Sequence, residues 1–321
     1  MDLDDSSAAE QVILAVLTGT PITEVAARVH SSPSVLAEAV ERYRSAGRAT
    51  LDAQAEASKW YQANIEFADY PMAERAFFTC LMPALRTGHV AAWWFVRKYP
   101  CWRLRCVHGP TTGADDVSKP IDEALDRAVS LRAVTRWWRS PYEAETTAFG
   151  GPIGMDIAHD LFHADSVGVL EHLNLDSRDG HGFLDAKVTS LLVISQFLRA
   201  ANQEWSEQGD VWARVEAARP LPDDVPVERV TAMTNRLQRL LAIDTAHALA
   251  AAGPLAPIAE WITGMERVGR ALGCAGREGR LTLGTRSILA RHVLFHWNRM
   301  GFTTRQQAIW SRAARETIFG R

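Results

Sequence analysis

The stretch 93-WWFVRKYPCWRLRCVHG-109 reads as two β-strands folded against each other about Pro100, and the rest of the chain is placed relative to them. Side chains two apart on a strand share a face. Cys101, Arg103 and Arg105 therefore point one way, and Trp102, Leu104 and Cys106 the other. The second set is apolar and reads as core. The first carries two guanidiniums side by side, which repel each other. Either an anion offsets that cost, a carboxylate held by bidentate contacts being the obvious one, or the face is solvated and paired with nearby Glu and Asp.

Working outward, residues 60–67 (WYQANIEF) alternate as another strand, and 72–86 carry a helical pattern. The strands around Pro100 occupy 91–97 and 101–107. After them, 110–117 (PTTGADDV) read as a loop, 120–129 as a helix and 131–139 as a further strand. The order β-α-β-β-α-β is that of a ferredoxin-like sheet, mixed or antiparallel, with helices on one face. Everything past Gly150 is helical in period: 155–173, 186–207, 210–217, 227–251, 258–272, 285–300 and 304–318. The breaks hold Gly, Pro and Asp, as in 176-DSRDGHG-182 and 219-RPLPDDVP-226. The class is α+β, strands first and a helical bundle after.

The first fifty residues read as three short helices, the second and third joined by the polar turn HSSPS, in the outline of a helix-turn-helix. That gives a segment over 1–52 and a main domain over 58–321, its sheet in 58–140 and its bundle in 150–321. A DNA reader concentrates positive charge on one face. Here Glu38 and Glu41 sit among Arg42, Arg44 and Arg48, so packing or peptide docking suits the segment better than DNA.

A net charge of -3 over 321 residues creates no field that would draw the chain to nucleic acid or an anionic membrane. Charged residues interrupt every apolar run before it reaches spanning length. The start MDLDDSSAAE lacks a basic region, so no signal peptide is read and the cytoplasm is expected. Cys80, Cys101, Cys106 and Cys274 form no C-x-x-C pair and read as small buried hydrophobes. G-x-S-x-G, P-loop and dinucleotide fingerprints are missing, which removes the usual support for hydrolase, NTPase and nucleotide-dehydrogenase readings.

Two histidine pairs stand out. In 291-RHVLFHWNRMG-301, His292, His296 and Arg299 fall at i, i+4 and i+7, one face of a helix, with Asn298 to one side. They could carry protons, or be core histidines hydrogen-bonded to backbone. In 159-HDLFHAD-165, His159 and His163 repeat the i, i+4 spacing beside Asp160 and Asp165. A metal site and buried hydrogen bonding both fit that spacing, the second better, since Gly150, Gly151 and Gly154 announce a tight backbone approach just upstream.

Three of these stretches, in order, resemble one family. The strand pair 93-WWFVRKYPCWRLRCVHG-109 is similar to its W-F-x-R-Y…H-L-R-L-R segment, and 141-PYEAETTAFGGPIGMDIAHDLFHADS-166 to its Y-x-x-E…R-Y-G-G…G-M…AH-x-L-F-x-x-D-S segment. The stretch 292-HVLFHWNRMG-301 resembles its closing H-x-x-N-R-x-G. The resemblance spans roughly 58–321. It is to the thiopeptide-type bacteriocin biosynthesis domain, similar to the C-terminal glutamate-elimination domain of lanthipeptide dehydratases and to thiopeptide pyridine synthases.

The resemblance implies an enzyme of ribosomal peptide-antibiotic biosynthesis, a carbon–oxygen lyase that removes glutamate from glutamylated Ser or Thr to leave a dehydroamino acid. Arg103 and Arg105 match the family's Arg-x-Arg and would hold glutamyl carboxylate; His296 would carry the proton, with Arg299 as an anion clamp. His292, Asn298, Trp94 and Tyr142 are assigned to substrate binding. No metal or cofactor is implied. The partners implied are a precursor peptide with its leader and a separate glutamylating dehydratase; self-association as a homodimer is compatible. One departure is Ala148-Phe149-Gly150-Gly151 where eliminating relatives carry Arg-Tyr-Gly-Gly. It turns attention to the alternative, a [4+2] pyridine synthase joining two dehydroalanines. A reading of another class is a non-catalytic leader-binding or regulatory protein using the first fifty residues.

Overall fold

The computed structural model describes residues 6–109, 113–179, 185–243, 253 and 255–320. Two compact units divide between Lys59 and Trp60. The first holds α1 (Ser6–Leu17), α2 (Ile22–Arg28) and α3 (Pro33–Ser58). Its own small core gathers Val12, Val25, Ala26, Leu36 and Val40. Ser32 Oγ accepts the Val35 N–H at 3.2 Å and caps α3. Along α3, Arg42 pairs with Glu38 and Arg44 with Glu41, so its charges alternate rather than forming a positive stripe.

The second unit opens with β1 (Trp60–Phe67), followed by α4 (Ala73–Cys80) and α5 (Met82–Leu85). Next come β2 (Val90–Lys98), β3 (Cys101–His108), α6 (Ala114–Ser130) and β4 (Val134–Arg139). The strands lie in the order β2-β3-β1-β4, every neighbouring pair antiparallel. This is the ferredoxin-like arrangement read from the sequence, with no parallel pair. The long α7 (Pro152–Asp179) then leads into α8 (Ala186–Ala200), α9 (Trp205–Ala218), α10 (Val227–Thr231), α11 (Thr234–Leu241), α12 (Ala259–Arg277), α13 (Thr285–Arg299) and α14 (Thr304–Phe319). No helix among the described residues is long and apolar enough to cross a membrane. The four cysteines are unpaired, Cys101 and Cys106 buried and Cys80 and Cys274 half-buried.

Burial follows the strand period. Ile65, Phe95, Trp102, Leu104 and Cys106 are fully buried on one face. There Phe95 stacks on Trp102 with centroids 4.6 Å apart, and Phe77 of α4 lies 5.7 Å from each. On the other face the register sets Arg105 between Gln62 and Trp94, and Arg103 between Asn64 and Val96. One sheet thus separates an aromatic core from a polar face.

An edge strand offers unpaired backbone groups to any passing chain. Along β2 the N–H groups of Trp93, Phe95 and Arg97 instead donate to His163 Nδ1 at 3.2 Å, Ser166 Oγ at 3.3 Å and Asn298 Oδ1 at 2.8 Å. Asn298 completes the pairing by donating Nδ2 to the Arg97 carbonyl at 2.8 Å. These contacts close the edge and fix α7 and α13 against the sheet. In the bundle, α8 is buried from Thr189 to Leu198, as expected of a helix surrounded on all sides. Gly168 of α7 permits α12 to close in, since a Cβ there would lie 2.0 Å from Trp261 Cγ.

Several sequence boundaries move. The helix expected over 72–86 is a 3-10 turn (Tyr70–Met72), then α4 and α5, broken where Pro83 cannot donate to the preceding turn. The strand expected from 131 begins at Val134, because Arg132 takes φ 57°. The helix expected at 120–129 starts earlier, at Ala114, where the Gly113 N–H donates to Asp116 Oδ2 at 2.8 Å; residues 110–112 of the expected loop lie outside the described residues. The single run 186–207 is two helices, parted at Asn202 (φ 60°) and reopened by a Glu204–Glu207 capping contact of 3.0 Å. The run 227–251 divides into α10 and α11, with 244–251 outside the described residues, and α7 continues to Asp179, four residues into the expected 176–182 break; residues 180–182 are also outside them.

Candidate functional site

A cleft of about 600 Å³ opens between the polar face of the sheet and helices α9 and α13. Its cations are Lys98, Arg103, Arg105, Arg214, Arg219 and Arg291, against the single carboxylate of Glu145. Val96, Leu294 and Phe295 supply apolar wall, and Asn298 reaches it from the β2 edge.

Arg105 is the built element. Its Nε donates to Gln62 Oε1 at 2.5 Å, and its guanidinium lies 4.2 Å from the Trp94 ring and 4.7 Å from that of Tyr142. Such stacking orients a guanidinium without neutralising it. Burial lowers its pKa to about 10, so it remains a cation at neutral pH. Gln62 also donates to Ser140 Oγ at 2.7 Å and the Pro141 carbonyl at 2.9 Å, and Asn64 to Ser140 Oγ at 2.7 Å. The same pair therefore holds Arg105 and the turn that leads to Tyr142 and Glu145. Tyr142 O–H meets His159 Nε2 at 2.8 Å. Arg103 has no hydrogen bond or carboxylate partner among the described residues, and is free to take a ligand.

Glu145 is brought in by backbone. Gly150 (φ 87°) and Gly151 (φ 91°) turn the chain from a short 3-10 helix (Thr146–Phe149) into α7, and a Cβ on Gly154 would sit 1.9 Å from the Phe149 carbonyl oxygen. Arg291 of α13 pairs with Glu145 at 3.1 Å.

Behind α13 lies a second polar group, sealed from the cleft. Asp165 Oδ1 accepts from His296 Nδ1 at 2.8 Å and Trp261 Nε1 at 3.1 Å, and Oδ2 accepts from Arg299 Nη1 at 2.8 Å. His296 Nε2 meets Ser190 Oγ at 2.8 Å, and Trp297 Nε1 donates to the same oxygen at 3.1 Å. Ser190, His296 and Asp165 are connected as in a hydrolase triad, yet they are 0%, 1% and 0% exposed and closed to solvent. Burial alone would raise the Asp165 pKa; His296 and Arg299 outweigh it and hold the carboxyl below its usual range.

The sequence-read residues thus fall into three places. Arg103, Arg105 and Asn298 line the cleft. Trp94 and Tyr142 are buried one layer behind and clamp Arg105. His296, Arg299 and His292 are buried and do not line it. His292 lies among Phe149, Phe162 and Phe197 at 5.0, 5.8 and 5.8 Å, with neither ring nitrogen hydrogen-bonded among the described residues. Burial pushes its pKa down to about 3, so it is neutral. His159 and His163 are engaged with Tyr142 and the Trp93 backbone, and no cluster of three metal-ligating side chains occurs among the described residues.

The sequence reading missed Glu145, Lys98, Arg214, Arg219 and Arg291 in the cleft, and the role of Asp165. Asp165 did carry a signal: a carboxylate inside 161-LFHADSVGVL-170 must find cations when that helix is buried. Arg214 and Arg219 carried none, because only tertiary packing places α9 beside the sheet.

Residues 60–318 match the family model described as lantibiotic biosynthesis dehydratase C-term. Among solved structures the chain is similar to the tRNA-dependent lantibiotic dehydratase MibB from Microbispora sp. 107891, with a TM-score of 0.60 and 14% identity over 81% of this chain. It spans 28% of that protein. It is similar also to TbtD, the pyridine synthase from thiomuracin biosynthesis (TM-score 0.58, 13% identity, 82% of this chain and 99% of that one). TsrL follows at a TM-score of 0.53 and 16% identity, over 82% of this chain and 96% of TsrL. No curated protein matches the chain by sequence. At such identities the structural likenesses establish fold, while the family match extends from the first strand of the sheet to the last helix of the bundle: the chain belongs to the lantibiotic biosynthesis dehydratase C-terminal family.

Proposed function

We propose that this chain is an enzyme that eliminates glutamate from glutamylated Ser or Thr of a ribosomally made precursor peptide. The observation that carries the reading is the charge of the cleft, six cations against one carboxylate in a chain whose net charge is -3. A site so built accepts an anionic group and stabilises negative charge as it develops. A glutamyl ester presents a carboxylate at the start of the reaction and releases a second at the end.

In this mechanism Arg103 and Arg105 grip the glutamyl carboxylate. Glu145 is the one carboxylate lining the cleft and takes the α-proton of the modified residue. The Cα–H electrons form the Cα–Cβ double bond, the Cβ–O bond breaks, and its electrons leave on the glutamate carboxylate. Arg291, released from Glu145, faces the developing charge. His296 acts at one remove: with Asp165 and Arg299 it fixes the helix that carries Asn298 and Arg291. Glutamate must first be attached by a partner dehydratase, and the peptide brings its leader.

The second reading, pyridine synthesis from two dehydroalanines, is supported by the likeness in fold to the pyridine synthase TbtD, at a TM-score of 0.58. Ala148, where the resemblance leads one to expect arginine, points the same way. Mass spectrometry separates the two. A glutamylated precursor losing glutamate on incubation supports elimination; turnover of only the fully dehydrated peptide, with leader release, supports the synthase.

A further inference from the structure

Around the cleft, helices α9, α13 and α14, with Arg219 just past the end of α9, carry eight arginines. Outside it each is neutralised: Arg286 by Asp210, Arg299 by Asp165, Arg305 by Asp224, and Arg312 and Arg315 by Glu216. Arg214 and Arg219 break this rule. Both line the cleft, and neither has a carboxylate partner among the described residues.

They are nonetheless held in place. Arg214 Nη1 donates to Ser287 Oγ at 3.1 Å. Arg219 donates Nε to Gln307 Oε1 at 3.0 Å and Nη1 to the Ala218 carbonyl at 2.8 Å. Gln307 is itself 5% exposed and anchored through Nε2 to the Phe302 carbonyl at 2.8 Å. Neutral acceptors orient a guanidinium and leave its charge unquenched, which is the arrangement a ligand carboxylate needs. Arg103 and Arg105 stand on the sheet wall; Arg214 and Arg219 stand on the helical wall.

We propose that Arg214 and Arg219 form a second anion subsite, which takes the side-chain carboxylate of an Asp or Glu close to the residue being modified. The substrate is then an acidic peptide segment, read at two points: the reacting group on the sheet wall and a neighbouring acid on the helical wall. This rests on the peptide-modifying reading of the cleft, but not on which reaction occurs there.

The test uses the full chain and two fluorescein-labelled probes, tetraglutamate and tetraglutamine, compared by fluorescence anisotropy. The expected result is at least about tenfold tighter binding of tetraglutamate. The double substitution Arg214→Gln with Arg219→Gln should weaken tetraglutamate by about tenfold. Arg214→Lys with Arg219→Lys should stay within about threefold of wild type, because charge is retained. Thermal melts verify that both variants fold. Equal binding of the two probes overturns the proposal, as does undiminished binding by the glutamine variant. So does an equal loss in a folded lysine variant, which would place the effect in packing. Glutamate release from a glutamylated peptide is measured separately: its absence with the probe contrast intact removes the elimination reading and leaves the subsite standing.

Discussion

Two groups of charges lie on either side of α13, and they are built on opposite principles. Behind the helix, Asp165 is matched by His296 and Arg299, all of them sealed from solvent. In front of it, Arg103, Arg105, Arg214 and Arg219 face a cleft with no carboxylate of their own. The first group spends its charge on itself and holds helices together. The second keeps its charge for a ligand. The run 296-HWNR-299 conceals this division, because successive residues of a helix face different neighbours. Asn298 reaches β2 and the cleft; His296 and Arg299 turn inward to Asp165.

That contrast can be broken by substitution. The largest effect expected is on stability, from Asp165→Ala, which leaves three buried groups, His296, Trp261 and Arg299, without their acceptor. It should cost about 3–5 kcal/mol in urea unfolding. A loss under about 1 kcal/mol would mean that the network is solvated and that His296 could reach substrate. Arg103→Gln should do the reverse: elimination of glutamate falls about 100-fold while stability moves by no more than about 0.5 kcal/mol.

Acid sharpens the comparison further. His292 is neutral when folded, with its pKa pushed to about 3 by burial, but takes a proton near its ordinary value when unfolded. The unfolded state therefore binds more protons below about pH 6.5, and the fold loses stability as pH falls from there. Between pH 6.5 and 5 the loss from this residue is about 2 kcal/mol, and His292→Leu should remove it from the pH profile of urea unfolding. Asp165 acts in the same direction at lower pH: its folded pKa is depressed, so its contribution disappears as pH falls through the carboxylate range. The smallest effect belongs to Ser190→Ala, which removes one neutral partner of His296 and should cost about 1 kcal/mol in the same assay with catalysis intact.

Where local pattern decides, the sequence was enough. Alternation in 101–107 separated Trp102, Leu104 and Cys106 from Arg103 and Arg105, and the structure buries the first three and aims the arginines at the cleft. The ferredoxin-like order followed from the same period. Helix ends were less legible, since Asn202 and Arg132 take left-handed conformations that no pattern announces. The site was legible only in part. Arg105 was visible, but its clamp depends on the register that brings Gln62 and Trp94 beside it. Two histidines at helical spacing suggest chemistry, yet whether such a pair faces solvent or core depends on the packing of α7, α8 and α12 around α13. Asp165 of α7 turns His296 inward, and the rings of Phe149, Phe162 and Phe197 enclose His292.

The most direct test of the division is a single mass-spectrometric comparison. A glutamylated precursor peptide is incubated with the wild-type chain and with Arg103→Gln. Loss of glutamate with the first and persistence of the glutamylated mass with the second is the expected result. Equal loss with both would contradict the assignment of the cleft as the site of elimination.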